Sequence, residues 1–328
     1  KEPGCDATQD SCPLLHNAAE RLARLAKLSN LSFLPPLLLV AGGRNMPTAN
    51  EKPTDPKTSI TRILRWKQGV PGQAADDFLS REEPLEIRVK GESVAVTMRT
   101  PGHDEELALG FLLSEGVIAV PGDVLEVAPC QQGEAALHGN VLNVFLAPNV
   151  ELDLAKLRRN VYASSSCGLC GKASIESVHG HFAPLAKREP FVAAETLLQL
   201  PVKLRAEQET FDKTGGLHAA GLFDAEGKLL TMREDVGRHN AVDKALGRSM
   251  LDGNFPLDDR VLMVSGRASF EILQKALAGR VPVICAVSAP SSLAVEFARE
   301  SGQTLVGFLR GDTFNVYSHP ERITGLGD

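Results

Sequence analysis

The sequence predicts an α/β fold in which a small N-terminal α+β unit, residues 58–163, precedes a larger α/β domain, residues 164–328. Two patterns indicate this division. Before residue 150, short stretches of alternating apolar and polar residues surround a strongly apolar helical segment. After residue 200, apolar strands alternate with helical segments at intervals of about 10–15 residues, which is typical of βαβ units and a largely parallel sheet.

The composition is that of a globular protein, with 328 residues of which 43% are hydrophobic and 23% charged. A net charge of -6 and an aromatic content of 5% argue against a dedicated nucleic-acid-binding protein. Six cysteines are too few for a disulfide scaffold and are typical of a reducing compartment. We therefore expect a cytoplasmic protein in which thiols serve chemistry.

Residues 1–57 are expected to form an extension or linker, disordered or non-native, outside the functional fold. The apolar run Leu31–Val40 is shorter than the ~18 residues of a membrane span and contains Pro35 and Pro36, so no membrane association is expected. Residues 46–59 are rich in Pro, Thr, Lys and Asp, which is a linker composition. A weakly ordered native segment is the equally supported alternative.

The first unit contains a hairpin, an apolar helix and two further strands. Lys90-Gly91-Glu92 separates two alternating stretches, which indicates a short glycine turn. Leucine spacing after Pro101-Gly102 suits a mostly buried helix with Gly116 at its C-cap. The predicted elements are strands Leu85–Val89 and Ser93–Met98, helix His103–Glu115, strands Val124–Ala128 and Val141–Leu146, and a short helix from Asp153 to about Arg159.

The second unit begins with a cysteine-containing loop and continues as alternating strands and helices. The stretch Asp224 to Gly227 is typical of a hairpin turn. After this hairpin, predicted strands alternate with helical segments. The predicted elements are helix Ala193–Arg205, strands His218–Phe223 and Lys228–Met232, helix Asn240–Met250, strand Arg260–Val264, helix Ala268–Ala278, strand Val283–Val287, helix Ser292–Glu300 and strand Thr304–Leu309.

The loop Ser164–Lys172 places two thiols, Cys167 and Cys170, three positions apart among small residues. Small neighbours leave the sulfur atoms accessible, and the N-terminus of the helix-like segment Ala173–Val178 would lower the pKa of a nearby thiol. Two thiols at this spacing can form a disulfide, bind a metal or carry a sulfur atom. The composition disfavours a structural disulfide, while the residues alone leave redox chemistry and sulfur transfer open.

A zinc site is the least supported use of these thiols. His218 invites such a site, but a zinc deaminase needs a glutamate two positions after the histidine, where this chain has Ala220, and the motifs stand in reverse order. A closed structural site needs four ligands, and the sequence has no second pair of cysteines at this spacing. Cys5, Cys12 and Cys130 are isolated, and Cys285 lies in an apolar strand. We therefore predict no metal site.

Three strand-to-helix turns carry polar residues that suit anion binding: Arg233–His239, Ser265–Ser269 and Ser288–Ser292. In an open α/β sheet, ligands bind at the carboxyl ends of the strands, where helix N–H groups attract anions. One such turn alone is more often a simple N-cap. Together the turns predict a phosphate-binding edge, with candidate ligand-binding residues Arg238, His239, Gly266 and Arg267.

A further segment, Gly307–Tyr317, runs from an apolar strand through Arg310-Gly311-Asp312 into another short strand. The glycine beside an arginine permits a flat or anionic ligand to approach the backbone closely. A β-turn with its arginine in solvent is the equally supported alternative.

Five motifs in the same order resemble the signature of the formate dehydrogenase accessory sulfurtransferases, the FdhD/NarQ family. They are Thr97–Leu112, Ser164–Lys172, Thr214–Ala220, Glu234–Lys244 and Ser265–Glu271. The resemblance extends from about Ile60 to Arg322 and does not include residues 1–57.

The resemblance implies a function. Members of this family take sulfane sulfur from a cysteine desulfurase and transfer it to the molybdenum cofactor, in its bis(molybdopterin guanine dinucleotide) form, before insertion into formate dehydrogenase. By position, Cys167 is implied to carry the persulfide and Cys170 to assist the transfer. The stretch implied to bind the cofactor comprises Phe308, Leu309, Arg310, Gly311, Asp312 and Thr313.

The resemblance also implies a homodimer and a cytidine-deaminase-like, three-layer α/β domain without the zinc chemistry. Two alternatives stay open at this point: a chaperone that binds the molybdenum cofactor without covalent chemistry, and a dithiol redox protein.

Overall fold

The computed structural model describes residues 55–131, 139–151, 182–186 and 191–327, which all belong to one compact unit, Lys52–Asp328. The predicted thiol loop Ser164–Lys172, the predicted helices at 153–159 and 173–178, the boundary predicted at residue 163 and residues 1–54 lie outside these ranges. None of the described helices is long and apolar enough to cross a membrane.

The described elements follow the chain in this order. The strands are β1 Thr58–Lys67, β2 Val70–Ser80, β3 Glu83–Val89, β4 Glu92–Arg99, β5 Val124–Pro129, β6 Val141–Leu146, β7 Val192–Ala193, β8 His218–Phe223, β9 Leu229–Asp235, β10 Val261–Val264, β11 Val283–Ala286, β12 Thr304–Arg310, β13 Thr313–Ser318 and β14 Ile323–Thr324. The helices are α1 Asp104–Ser114, α2 Ala194–Ala206, α3 Glu209–Thr214, α4 Arg238–Leu251, α5 Phe270–Ala278 and α6 Ser292–Glu300.

A six-stranded sheet in the order β13-β12-β11-β10-β8-β9 forms the middle layer of the larger part. Successive strand residues point to opposite faces. Leu262 and Val264 therefore pack in the core that contains α4 and α5, whereas Val261 and Met263 pack in the core that contains α2. Because both faces are covered by helices, the strands are apolar throughout. The predicted three-layer α/β architecture is confirmed.

This sheet is mixed, so the prediction of a largely parallel sheet is wrong. Only β10–β11 and β11–β12 pair in parallel, because α5 and α6 supply the long crossovers that parallel neighbours need. The pairs β8–β9 and β12–β13 are antiparallel hairpins, and β8 lies between β9 and β10, antiparallel to both. As a result β9, β10, β11 and β12 run in the same direction and end at one edge, called here the carboxyl edge.

The smaller part is a four-stranded sheet, β4-β3-β6-β5, that shares a hydrophobic core with α1. The predicted hairpin, apolar helix and two strands of this region are confirmed, and Gly116 has the positive φ of 71° expected of a helix C-cap residue. The same core continues through α4 and α5 to the six-stranded sheet. Both sheets are therefore held together by one apolar interior.

Two glycines allow α1 and α4 to cross at backbone contact. A Cβ atom on Gly110 would lie 1.9 Å from the carbonyl oxygen of Asp243, and one on Gly247 would lie 1.9 Å from that of Glu106. No side chain fits at such distances, so only glycine permits this approach. The crossing fixes α4, whose N-terminus reaches the carboxyl edge, against the helix of the smaller part.

The hairpin β1–β2 has no counterpart in the sequence prediction, which treats residues 46–59 as a linker and predicts no strand before Leu85. β2 contains Pro71, Gly72, Ala74, Ala75 and two aspartates, a composition that does not favour strands. Its pairing with β1, over the register Thr58↔Ser80 to Lys67↔Val70, compensates for that composition. The short helix α3 is also absent from the prediction.

Glu106 links α1 to β9 through a buried ion pair. Its carboxylate accepts a hydrogen bond from Arg233 Nη2 at 2.7 Å and lies 3.6 Å from His103 Nδ1. Burial alone would raise the pKa of Glu106, but the hydrogen bonds and charges of Arg233 and His103 outweigh it and lower the pKa to about 2. A carboxyl group with a lowered pKa stabilises the fold above its ordinary pKa of 4.5, and this contribution is lost as the pH falls toward 2.

We expect Glu106→Gln to lower the free energy of unfolding by about 1–3 kcal/mol at pH 7, since a charged hydrogen-bond acceptor is lost. The difference from the wild type should shrink as the pH falls through the range between the two pKa values. Urea unfolding at about pH 7, 5 and 3 measures it. A difference that stays constant over this range would contradict the assignment.

Candidate functional site

The strand-to-helix turns of the six-stranded sheet meet at the carboxyl edge, where His218 begins β8. Backbone hydrogen bonds join the turn Ser288–Ser292 to β12 on one side and to the turn Ser265–Ser269 on the other. The Phe308 N–H donates to the Ser288 carbonyl at 3.2 Å, and the Ser291 N–H donates to the Ala268 carbonyl at 3.0 Å. The prediction that these turns share one edge is therefore confirmed.

A cleft of about 970 Å³ opens at the carboxyl edge. The sheet and its turns form one side, and the end of α2 together with α3 forms the other. The cleft is lined mostly by apolar surface with a few polar groups, and this combination is typical of ligand sites. The lining residues are Leu217, His218, Ser265, Val287, Arg310 and Gly311 from the sheet side, and Pro201, Val202, Leu204, Arg205, Ala206, Gln208, Phe211, Asp212, Gly215 and Gly216 from the helical side.

Glu234 positions the helical wall of the cleft. Its buried carboxylate accepts hydrogen bonds from the N–H groups of Thr210 at 3.1 Å and Phe211 at 2.9 Å, which have no partner within α3. At the other end of α3, Ser80 Oγ donates to Thr214 Oγ1 at 2.7 Å. Glu234 belongs to the motif Glu234–Lys244, yet sequence reasoning gave it no role, because a capping contact between distant segments leaves no local pattern.

His218 lies half-buried on the sheet side of the cleft. Burial and the positive charge of Arg238 lower the pKa of His218, although the negative charge of Asp235 opposes them. The imidazole is therefore neutral at pH 7, with one nitrogen that donates and one that accepts. A Cβ atom on Gly266 would lie 3.3 Å from His218 Nδ1. The glycine thus leaves room for the imidazole.

Arg238 and His239 are the first two residues of α4. His239 Nε2 lies 3.1 Å from Ser269 Oγ at the start of α5. Burial and the positive charges of Arg238 and Lys275 lower the pKa of His239 to about 4, so this imidazole is also neutral at pH 7. The Arg238 Nε–H is buried and has no hydrogen-bond partner within the described part of the chain. The start of α4 therefore combines a helix N-terminus with an arginine N–H that can still donate.

A buried polar network holds this turn in place. Lys244 Nζ lies 2.7 Å from Asp235 Oδ2 and donates to the Thr100 carbonyl at 2.8 Å. Asp235 also accepts hydrogen bonds from the Thr100 N–H at 3.1 Å and from Asn240 Nδ2 at 3.0 Å. The motifs Thr97–Leu112 and Glu234–Lys244 thus meet in the interior. Their contact holds the start of α4 in place from the side of the protein interior.

The predicted cofactor stretch runs from the end of β12 to the start of β13. Arg310 and Gly311 line the cleft, and the Arg310 guanidinium lies 5.6 Å from the centre of the Phe308 ring. Leu309 is fully buried in the core shared with α2, whereas Asp312 and Thr313 are exposed at the hairpin tip. The structure therefore brings Arg310 and Gly311 together with His218 and Ser265, but directs the Leu309 side chain away.

The remaining predicted residues differ in whether they are exposed, buried or outside the described part of the chain. Arg267 is exposed on its turn, and the cleft lining includes neither Arg267 nor the other predicted turn residues Arg238, His239 and Gly266. Cys285 is fully buried, and burial raises the pKa of its thiol, so its interpretation as a core residue is confirmed. Cys167 and Cys170 lie outside the described residues, and their roles stay predictions.

Sequence reasoning missed Arg205 and Phe211 on the helical wall. The Arg205 guanidinium lies 4.8 Å from the centre of the Phe211 ring and also pairs with Asp212. The two residues lie on successive helices, and only the turn between α2 and α3 brings them together. Neither position belongs to one of the five motifs.

Comparison with known proteins places the chain in a family. Residues 80–324 match the FdhD/NarQ family. The chain is 50% identical over 272 residues to the sulfur carrier protein FdhD of Streptomyces coelicolor, which covers 81% of this chain and 95% of that protein. It is 54% identical over 255 residues to the sulfur carrier protein FdhD of Mycobacterium tuberculosis, covering 76% and 92%.

A solved structure agrees with these matches. The fold superposes with a TM-score of 0.66 and 26% identity on the crystal structure of a protein designated as a formate dehydrogenase accessory protein from Desulfotalea psychrophila, covering 82% of this chain and 100% of that one. Sequence and fold thus agree over most of the chain, and the protein belongs to the FdhD/NarQ family.

Proposed function

We propose that this protein is a sulfur carrier that takes sulfane sulfur from a cysteine desulfurase and transfers it to the molybdenum cofactor before insertion into formate dehydrogenase. The observation that carries the sulfur-carrier role is the 50% identity to a sulfur carrier protein over 95% of that protein's length. The donor, the bis(molybdopterin guanine dinucleotide) substrate and a cytoplasmic homodimer are the finer parts of the proposal.

The proposed chemistry begins with Cys167. Its thiolate attacks the outer sulfur of the donor's persulfide, so that a new S–S bond forms on Cys167 while the donor leaves as a thiolate. Attack of the Cys170 thiolate on Cys167 then releases the outer sulfur as sulfide to the cofactor and leaves a Cys167–Cys170 disulfide. The two thiols supply the two electrons of this step, and an external thiol reductant restores them.

The carboxyl-edge cleft is the proposed binding place of the cofactor. A bis-guanine-dinucleotide ligand carries four phosphates, for which Arg310 supplies positive charge within the cleft. The start of α4 with Arg238 lies outside the lining but close enough to His218 for its charge to act on that residue, and it would supply further positive charge. The neutral imidazole of His218, which lines the cleft, adds a donor without adding charge. A volume of about 970 Å³ is at the upper end of the range usual for small-molecule sites.

We expect Arg238→Ala to weaken binding of GDP, used as a probe for one end of the cofactor, about tenfold or more, because a charge-assisted hydrogen bond is lost. Calorimetry on the full chain measures the affinity. Arg260→Ala is the matched control, since Arg260 precedes β10 at the opposite edge of the sheet. An unchanged affinity in Arg238→Ala would count against the proposed place of binding.

We expect Cys167→Ala to abolish activation of formate dehydrogenase in cells that lack their own carrier, while the variant folds normally. Cys130→Ala is the matched control, because Cys130 is a partly exposed cysteine outside the five motifs and its loss should leave activation intact. Full activation by Cys167→Ala would refute the carrier role of this thiol.

A further inference from the structure

The helical wall of the cleft carries a group of charged and aromatic side chains that no step of the proposed function uses. The Arg205 guanidinium lies 4.8 Å from the centre of the Phe211 ring and also pairs with Asp212. All three residues line the cleft, and the side chains of Arg205 and Asp212 are 48% and 59% exposed. An ion pair this exposed contributes little to stability, so stability does not account for its position in the cleft.

This wall suits a flat aromatic ring. Nucleobases bound to proteins stack on the rings of aromatic residues and on the planar guanidinium of arginine, and the wall has both. Val202, on the same wall, is 73% exposed and adds apolar surface beside Pro201. Glu234 holds Phe211 in position, because its carboxylate accepts a hydrogen bond from the Phe211 N–H at 2.9 Å. The helical wall is therefore a stacking surface on a fixed support.

The two sides of the cleft differ in charge, and this difference orients a nucleotide. On the sheet side the exposed Arg310 contributes a positive charge, whereas on the helical wall the charges of Arg205 and Asp212 compensate each other. Glu209 adds a further carboxylate to α3. Phosphate groups are attracted to cations and repelled by carboxylates. A nucleotide in this cleft therefore lies with its phosphates toward the sheet side and its base against the helical wall.

The Asp212 carboxylate can accept further hydrogen bonds. Arg205 Nη2 donates to Oδ1, and Oδ2 accepts no hydrogen bond from the described residues. A carboxylate has about four acceptor positions, so both oxygens have capacity left. Guanine presents two adjacent donors, its N1–H and its 2-amino group, which a carboxylate accepts side by side. Adenine has an acceptor nitrogen at N1 and no 2-amino group, so a carboxylate disfavours it.

We propose that Asp212 selects guanine by accepting hydrogen bonds from its N1–H and its 2-amino group, while the base stacks on the Arg205–Phe211 pair. This inference rests on the proposed function, because it takes the guanine dinucleotide of the cofactor as the ligand of the cleft. It adds the residues that recognise the base, and none of the three belongs to one of the five motifs.

Calorimetry of the full chain with GDP, ADP and xanthosine diphosphate tests the proposal. The wild type should bind GDP at least about tenfold more tightly than the other two, because only guanine offers both donors. In Asp212→Asn the carboxamide donates to the 2-oxo group of xanthine and accepts from its N1–H, so this variant should prefer xanthosine diphosphate to GDP by about tenfold. Asp252→Asn is the matched control, since Asp252 also pairs with an arginine and lies outside the cleft lining, and it should keep the preference for GDP.

A second variant tests the stacking separately. Phe211→Leu should weaken the binding of all three nucleotides by a similar factor, about tenfold, because every base stacks through the same kind of face. The preference for GDP should persist, since Asp212 is still present. Affinities equal to those of the wild type would overturn the stacking on the Arg205–Phe211 pair.

The outcomes separate this inference from the proposed function. A wild type that binds GDP while Asp212→Asn keeps the preference for GDP would overturn the recognition by Asp212 alone, and the proposed place of cofactor binding would stand. A wild type that binds none of the three nucleotides would overturn both. Neither result affects the sulfur-carrier role, which depends on Cys167.

Discussion

Lys244→Met should lower the free energy of unfolding by about 3–5 kcal/mol, because it leaves a buried carboxylate without its counter-ion. Lys244 and Asp235 lie 2.7 Å apart, and their side chains are only 1% and 0% exposed. The network they form also holds Thr100 and Asn240, so the loss extends to the turn before α4. We expect GDP binding at the carboxyl edge to weaken together with the stability.

Urea unfolding at pH 7 measures this effect, with Arg248→Met as the control. Arg248 lies on the same helix, pairs with Asp252 and lies 3.8 Å from Glu106, which keeps its closer partner Arg233; its own side chain is 42% exposed, so its loss should cost about 1 kcal/mol. The double variant Lys244→Met with Asp235→Asn should recover part of the loss, since the buried negative charge is then gone. Equal losses for Lys244→Met and Arg248→Met would contradict the importance of the buried pair.

Gly247→Ala should destabilise the fold by about 3 kcal/mol or more, or prevent folding. The added methyl group would lie 1.9 Å from the Glu106 carbonyl oxygen, so α1 and α4 must separate. Because the obstacle is backbone and not a flexible side chain, no rotamer change relieves the clash. Separation would also shift the N-terminus of α4, which carries Arg238 and His239.

Gly122→Ala provides the comparison for this experiment. Apart from its chain neighbours, no atom of the described residues lies within 4 Å of a Cβ built on Gly122, and the residue is exposed. Its substitution should change the stability by less than about 0.5 kcal/mol. Thermal unfolding of both variants under identical conditions distinguishes the two positions. Similar stabilities would show that the helices do not meet as closely as at Gly110 and Gly247.

The elements of the fold are largely predictable from the sequence. Three of them, Val141–Leu146, His218–Phe223 and Ser292–Glu300, begin and end at the predicted residues. Each is an apolar or amphipathic stretch bounded by polar or turn residues, so the information is local. The polar turns also located the carboxyl edge, because neighbouring strands that end together bring their turns together.

The order of the strands in the sheet and the contacts between distant segments are not predictable from local sequence patterns. Nothing in the local pattern of β8 requires it to lie between β9 and β10, and that position makes the sheet mixed. The helical wall of the cleft depends on Glu234 capping α3 across the fold, and Arg205 meets Phe211 only through the turn between two helices. Such contacts arise from tertiary packing, which leaves no periodic signal in one sequence.

The most direct test of the sulfur-carrier function is mass spectrometry of the full chain after incubation with a cysteine desulfurase and cysteine. Sulfur transfer predicts an adduct of about 32 Da on Cys167, absent from the Cys167→Ala variant and removed by a thiol reductant. An unmodified protein would contradict it and favour a cofactor-binding chaperone. A Cys167–Cys170 disulfide that forms equally well without the desulfurase, together with no adduct on Cys167 in the Cys170→Ala variant, would contradict it as well and favour a dithiol redox protein.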